Sequence, residues 1–150
     1  MPYVIGGWNL LSTLNFSRIV KADQGEILRF TLTTDDKYRL YTSLQEIPQS
    51  LIDFVLTKED RFFYYHPGFN PYSIVRALTT KISGLGPTLG ASTISMQLAR
   101  LYFGLNTKNI GGKVKQILLA YCLEVLMTKE KILEAYLNLA PYGRNIEGVG

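Results

Sequence analysis

The spacing of apolar residues changes near residue 48, and this change limits the fold more than any other feature of the sequence. Residues 17–42 contain the short runs "SRIVKA", "EILRFTL" and "KYRLYT", separated by the turn signals "DQG" and "TDD". Such runs are typical of short β-strands in a hairpin or meander. After Pro48 the apolar residues recur at helical spacing. The sequence therefore predicts a mainly α fold with a small β element, divided into residues 1–45 and a helical domain of residues 46–150.

Five helices are predicted in the second part. The first spans residues 48–57 and brings Glu59 and Asp60 to its C-terminal end. Its predicted apolar face consists of Leu51, Phe54 and Val55. The other four are expected to begin at Pro71, to run from Ser92 or Thr93 to about Phe103, from Lys113 to Met127, and from Thr128 to Ala140. A glycine-rich loop is predicted for residues 83–92.

The composition is that of a folded protein, with 47% hydrophobic and 19% charged residues. The single cysteine, Cys122, excludes an internal disulfide, and its apolar surroundings predict a buried, unreactive thiol. No apolar run is long enough to predict a membrane-spanning helix. The final residues, "NIEGVG", read as an unfinished connection, so we expect the domain to continue beyond them.

The distribution of charge is uneven. No aspartate or glutamate occurs from Arg61 to Leu123, whereas seven lysines and arginines do: Arg61, Arg76, Lys81, Arg100, Lys108, Lys113 and Lys115. This pattern favours a surface that holds an anion, such as a diphosphate or a lipid headgroup. The alternative is an ordinary solvated basic face. The basic residues are scattered singly and no nucleic-acid motif is present, so we expect no nucleic-acid partner.

The segment "EDRFFYYHPG" places two adjacent carboxylates beside several aromatic rings. A carboxylate that the rings shield from water is a candidate general base, so Glu59 or Asp60 is predicted to transfer a proton. The alternative is an exposed acidic pair beside an aromatic core. His66 is interpreted as a hydrogen-bonded structural residue. One histidine and one cysteine do not make a metal site of the usual kind.

The segment "GASTISMQLAR" supplies polar groups at a predicted helix start: Ser92, Thr93, Gln97 and Arg100. Free backbone N–H groups at such a start bind anions, although ordinary N-capping explains the same residues. Lys113 and Lys115 open the next helix and favour a nearby anion. Glu124, Glu134 and Glu147 are each candidates for a second acid, and their spacing does not choose between them.

Four segments, in this order, resemble the boxes of the peptidoglycan glycosyltransferase domain, glycosyltransferase family 51. "EDRFFYYHPG" is similar to its EDxxFxxHxG box, "GASTISMQ" to GxSTxxxQ, "GKVKQ" to RKxxE, and "ILEAYLN" to ILExYLN. The family occurs in class A penicillin-binding proteins and monofunctional transglycosylases. The form of the third box and the "APYG" ending are most similar to the 1C subtype of penicillin-binding protein.

The resemblance implies a lysozyme-like, bilobed fold and assigns roles to the matching residues. Glu59 would be the general base that deprotonates the acceptor 4-hydroxyl of lipid II, and undecaprenyl diphosphate would leave with inversion at the anomeric carbon. The other implied site residues are Asp60, Arg61 and His66 near the base, and Ser92, Thr93, Gln97, Arg100 and Lys113 near the diphosphate. The resemblance also implies assistance by a divalent cation, Mg or Mn.

Two positions of the third box depart from the family pattern. Gln116 replaces its glutamate and Gly112 its arginine. An amide is neither an acid nor a base, so either another group takes that role or one carboxylate suffices; Gln116 is kept as a substrate-binding residue.

The implied partners are lipid II, the lipid-linked glycan strand, the outer face of the bacterial cytoplasmic membrane and other proteins of cell-wall synthesis. Two alternatives remain: a non-catalytic lipid II-binding module, and a lysozyme-like enzyme that cleaves glycan with Glu59 as its acid.

Overall fold

A computed structural model describes residues 10–71 and 92–150 of the protein. The described strands are β1 (Ile19–Lys21), β2 (Ile27–Phe30), β3 (Tyr38–Arg39) and β4 (Ile146–Glu147). The described helices are α1 (Gln49–Glu59), α2 (Ile94–Tyr102), α3 (Ile110–Leu126) and α4 (Lys129–Leu139), with short 3-10 helices at Leu10–Thr13 and Phe63–Tyr65. The predicted mainly α class with a small β element is confirmed. The helix predicted from Pro71 and most of the predicted loop at 83–92 lie outside the described residues.

The strands form two separate pairs. β1 and β2 form the predicted antiparallel hairpin, with Ile19 opposite Phe30 and Gly25 in the turn at a φ of 85°. β3 pairs in parallel with β4, so that Tyr38 lies opposite Ile146. The sequence did not predict β4, because two residues are too few to show an alternating pattern. This second pair brings the chain beyond α4 back to the segment that leads into α1.

Side-chain caps fix the starts of three helices. Thr93 Oγ1 accepts from the Met96 N–H, and Thr128 caps α4 in the same way, as predicted. Asn109 Oδ1 accepts from the Gly112 N–H at 2.6 Å, so α3 begins at Ile110 and not at Lys113 as predicted. The two glycines of its first turn had suggested a loop, but the asparagine cap holds them in the helix.

The core forms around α2, which packs against both α3 and α4. Seven of the eleven residues of α4 are buried, and α2 buries Ile94, Met96, Leu98 and Ala99. α1 contributes Ile52 and Val55, whereas the predicted face residue Phe54 is 59% exposed. The prediction for Phe54 is therefore wrong, because the face that packs is rotated toward Ile52.

Only one face of α3 is buried. Gln116, Ala120 and Leu123 face the core, whereas Cys122 is exposed. Most of the exposed large apolar residues of this helix, which also include Leu126, recur at helical spacing: Ile110, Val114, Leu118, Tyr121 and Val125. The prediction that Cys122 is buried is therefore wrong, because apolar composition alone does not show which face of the helix packs. Within residues 10–71 and 92–150, no helix has the length and apolarity needed to cross a membrane.

Candidate active site

Two adjacent carboxylates at the end of α1 have opposite environments. Glu59 is the last residue of the helix and is exposed to solvent, whereas Asp60 is only 8% exposed. Phe63 is buried, but Phe62 is 56% exposed and does not shield Glu59 from water. Of the two carboxylates, Asp60 is therefore the one shielded from water, while Glu59 remains open to a ligand from solvent.

Asp60 and His66 form a buried pair that fixes the turn after Glu59. His66 Nδ1 accepts from the Gly68 N–H at 3.2 Å, so Nε2 carries the proton of a neutral ring and donates to Asp60 at 2.8 Å. Gly68 has a φ of 89°, and a Cβ there would lie 2.8 Å from the Ala120 oxygen. The structural interpretation of His66 is consistent with this geometry. Arg61 lies on the same turn and is exposed.

The N-terminus of α2 is bound by the protein's own groups. Asp60 Oδ2 accepts from the Ile94 N–H at 3.0 Å, and Thr93 Oγ1 donates to the Gly68 oxygen at 2.6 Å while it caps the helix. Of the two interpretations left open by the sequence, N-capping is the one observed, and the carboxylate at this helix start belongs to Asp60. These bonds join α2 rigidly to the turn that follows the exposed glutamate.

A chain of three side chains leads from Glu59 into the core. Gln97 Nε2 donates to Glu59 Oε2 at 2.8 Å, and the Tyr136 hydroxyl donates to Gln97 Oε1 at 3.3 Å. Burial raises the pKa of Tyr136 well above its ordinary value, and the Glu59 charge adds to this rise. Burial raises the pKa of Tyr142 as well, and the charge of Glu59 makes a smaller contribution to this rise. Glu59 therefore has an amide donor in contact and two phenols within electrostatic range.

Arg100 on α2 lies within electrostatic range of Lys113 on α3 and of Tyr136, on which Glu59 also acts. The charge of Arg100 lowers the pKa of Tyr136 and so opposes the rise caused by burial and by Glu59. Lys113 Nζ donates to Ser92 Oγ at 2.7 Å, and its pKa is lowered by partial burial and by the charge of Arg100. Two cations near each other, one of them partly buried, favour an anion between them. Arg76 and Lys81 lie outside the described residues.

Gln116 lies beneath this surface and not on it. Its side chain is 1% exposed, and Nε2 donates to the Met96 oxygen at 2.6 Å. Among the described residues its Oε1 has no hydrogen-bond partner. Gln116 thus supports the backbone next to Gln97 from the core, and its predicted contact with substrate stays a prediction.

The three candidates for a second acid each have partners away from Glu59. Glu124 pairs with Lys129 at 2.8 Å and accepts from Ser95, Glu134 accepts from the Tyr41 hydroxyl at 2.5 Å, and Glu147 pairs with Arg39. Across residues 10–71 and 92–150, no three acidic, histidine or cysteine side chains lie together as a metal site would need. The described residues therefore do not fit a metal ion held by the protein alone.

Three supporting residues were not predicted from the sequence: Lys129, Tyr136 and Asn138. Lys129 Nζ donates to the His66 oxygen at 2.7 Å and lies over the Phe63 ring, while Asn138 bonds both backbone groups of Thr42. Tyr136 and Asn138 both belong to the "ILEAYLN" segment. This segment resembles a box of the family, and its polar residues are the signal in the sequence that points to both.

Comparisons with known proteins match most of the chain to one family. The family model described as Transglycosylase matches residues 24–150. Penicillin-binding protein 1C of Escherichia coli strain K12 is 35% identical over 144 residues, 95% of this chain and 19% of that protein. Penicillin-binding protein 1A of Vibrio cholerae is 42% identical over 115 residues, 77% of this chain and 14% of that protein.

A third relative, penicillin-binding protein 4 of Bacillus subtilis strain 168, is 34% identical over 119 residues, 79% of this chain and 19% of that protein. The chain thus spans 19% or less of the length of these three relatives. The family model covers most of the chain, including all four boxes and every described site residue. The chain belongs to the transglycosylase family.

Proposed function

We propose that this chain is a peptidoglycan glycosyltransferase, which polymerises lipid II into glycan strands. Glu59 takes the proton of the acceptor 4-hydroxyl, and the resulting oxygen attacks the anomeric carbon of the lipid-linked strand. The bond from that carbon to the diphosphate breaks with inversion, and undecaprenyl diphosphate leaves. Family membership supports this reaction over the two alternatives, and no described contact favours either of them.

One observation carries the proposal: an exposed carboxylate, Glu59, and a cation, Arg100, both lie within electrostatic range of the buried Tyr136 phenol, and Lys113 lies within range of Arg100. A proton acceptor within reach of paired cations is what the transfer requires, because negative charge develops on the leaving diphosphate. Arg100, Lys113 and Ser92 are proposed to hold that group.

The state of the carboxylate also supports the role of Glu59. Gln97 donates a hydrogen bond to Oε2 of Glu59. Among the described residues, Oε1 of Glu59 has no hydrogen-bond donor. Its neighbour Asp60 is buried and committed to His66 and Ile94, so it is not available as the base. We propose that Asp60 and His66 hold the turn that shapes the site, while exposed Arg61 contacts the substrate.

A divalent cation is proposed to enter with the substrate, since the described residues do not provide a site of their own for it. Mg²⁺ keeps several waters and binds substrate phosphates with few protein ligands. When bound, it would neutralise part of the diphosphate charge. The remaining proposed partners are the bacterial cytoplasmic membrane, at whose outer face lipid II is consumed, and other proteins of wall synthesis.

The test uses fluorescent lipid II and separates the products by length. We expect the wild-type protein and the control Glu26→Gln, an exposed residue beside the β1–β2 turn, to polymerise lipid II. Glu59→Gln should lose roughly 100-fold or more, which is the scale of general base catalysis. Equal polymerisation by Glu59→Gln would contradict the assigned base. Activity on finished peptidoglycan, with none on lipid II, would support the cleaving alternative instead.

A further inference from the structure

Tyr136 carries a hydroxyl within a stretch of α4 that packs mostly in the core. Its neighbours Leu133, Ala135 and Leu137 are fully buried, and Tyr136 itself is 6% exposed. The ring fills space that a phenylalanine would fill equally well. Its hydroxyl donates to Gln97 Oε1 at 3.3 Å. The hydroxyl therefore contributes a specific polar contact and not additional apolar burial.

The side-chain amide of Gln97 has two ends with opposite hydrogen-bonding character. A carboxylate only accepts, so Glu59 requires the NH₂ end of the amide, and the carbonyl end must then face Tyr136. The two bonds, at 2.8 Å and 3.3 Å, thus define a single orientation of Gln97. Without the hydroxyl, Oε1 loses its donor, and the Glu59 bond alone then holds the amide, which is free to shift within that bond.

We propose that Tyr136 is a positioning residue, which acts through Gln97 to hold the carboxylate of Glu59 in one orientation. The catalytic consequence of this inference rests on the proposed function, whereas the effect of Tyr136 on the orientation of Gln97 does not depend on it. Burial and the Glu59 charge raise the pKa of Tyr136, so its hydroxyl keeps its proton and remains a donor throughout the neutral range. The hydroxyl that orients Gln97 therefore lies in the core, where no substrate displaces it.

A double-mutant cycle tests the pathway from Tyr136 through Gln97. Tyr136→Phe should lower kcat roughly 3- to 10-fold, the scale of one neutral hydrogen bond, with KM changed less than about twofold. In a Gln97→Ala background the same Tyr136→Phe change should have no further effect, because its partner is absent. Tyr121→Phe, at an exposed tyrosine of α3, is the control and should match wild type. An equal loss from Tyr136→Phe in both backgrounds would overturn the proposal.

A spectroscopic measurement separates this inference from the proposed function. In protein labelled with ¹⁵N-glutamine, the side-chain NH₂ signals of Gln97 should move toward those of solvent-exposed glutamine in Tyr136→Phe. They should stay in place in Tyr121→Phe. Unchanged Gln97 signals in a folded Tyr136→Phe variant would overturn the inference. Should the wild-type protein not polymerise lipid II, the proposed function fails, yet the NMR comparison still decides whether Tyr136 orients Gln97.

Discussion

Gln116 on α3 donates a hydrogen bond to the backbone oxygen of Met96 on α2, 2.6 Å away, and both residues are fully buried. A carboxylate cannot make this bond, because it has no hydrogen to donate when ionised. The amide at this position is therefore matched to the way α2 and α3 pack. The glutamate that the family box carries here would place a buried negative charge against a carbonyl oxygen.

We predict that Gln116→Glu destabilises the protein by about 2 kcal/mol or more, since it breaks a buried bond and leaves a carboxylate without a partner. Urea unfolding measures the change. Gln24→Glu, in the exposed turn before β2, is the control and should lie within about 0.5 kcal/mol of wild type. A Gln116→Glu variant as stable as wild type would show that the Met96 contact does not hold the two helices together.

Gly112 explains the second departure from the third box. A Cβ at this position would lie 1.9 Å from the Asn106 oxygen, whereas at Gly111 the nearest atom would be 3.9 Å away. We predict that Gly112→Ala costs about 2 kcal/mol or more, because the preceding backbone must move. Gly111→Ala in the same turn should instead stabilise the protein by up to about 1 kcal/mol, through helix propensity. Thermal unfolding of the two variants measures these changes in stability. Equal effects of Gly112→Ala and Gly111→Ala would contradict the close approach of the Asn106 oxygen to residue 112.

Local signals in the sequence were sufficient for much of the fold. Thr93 and Thr128 cap their helices with side chains that bond three residues ahead, so the start of each helix is readable from a few positions. β4 was missed because it pairs with β3 over a separation of more than a hundred residues. Cys122 was misplaced because the apolar run around it does not reveal which face of α3 meets α2.

The sequence predicted which residues belong to the candidate site, but not the burial and contacts of each side chain. The box pattern selected Glu59, yet nothing local shows that Asp60, its neighbour, takes the buried position. That difference arises because the N-terminus of α2, more than thirty residues later, meets Asp60. Tyr136 was missed as a site residue for a similar reason, since its contact with Gln97 depends on how α2 packs on α4.

Inorganic diphosphate should bind beside Lys113 and stabilise the protein. At ten times its dissociation constant the gain is about 1.4 kcal/mol, which a thermal shift assay detects. Lys113→Met should remove the shift. Lys115→Met should keep it, because Lys115 is exposed and lies on a different side of α3. An equal loss in both variants would show that the effect comes from general surface charge and not from the Lys113 site.

The diphosphate effect should depend on pH in a direction that Lys113 determines. Burial, and then the charge of Arg100, lowers the pKa of Lys113 from its ordinary value. An anion favours the protonated lysine and raises that pKa, so binding takes up a proton once the pH approaches the lowered value. The thermal shift should therefore shrink as the pH rises from 7 toward 10, with less change in Lys113→Met. A shift that grows with pH would contradict this linkage.

The hydrogen bond from Tyr41 to Glu134, a candidate second acid, should stabilise the fold and not serve the transfer. This bond raises the pKa of Tyr41 from 10.0 to about 12, with smaller contributions from burial and from the Glu134 charge. A raised folded pKa means that the stabilisation is complete below pH 10 and is lost as the pH rises toward about 12. Tyr41→Phe should therefore lower the free energy of unfolding at pH 8, and its difference from wild type should shrink at pH 11.

Phe16→Leu, which alters the ring that packs edge-on against Tyr41, is the control and should give a difference that does not change with pH. Urea unfolding at both pH values measures this, and a Tyr41→Phe difference that stays constant between them would contradict the assignment.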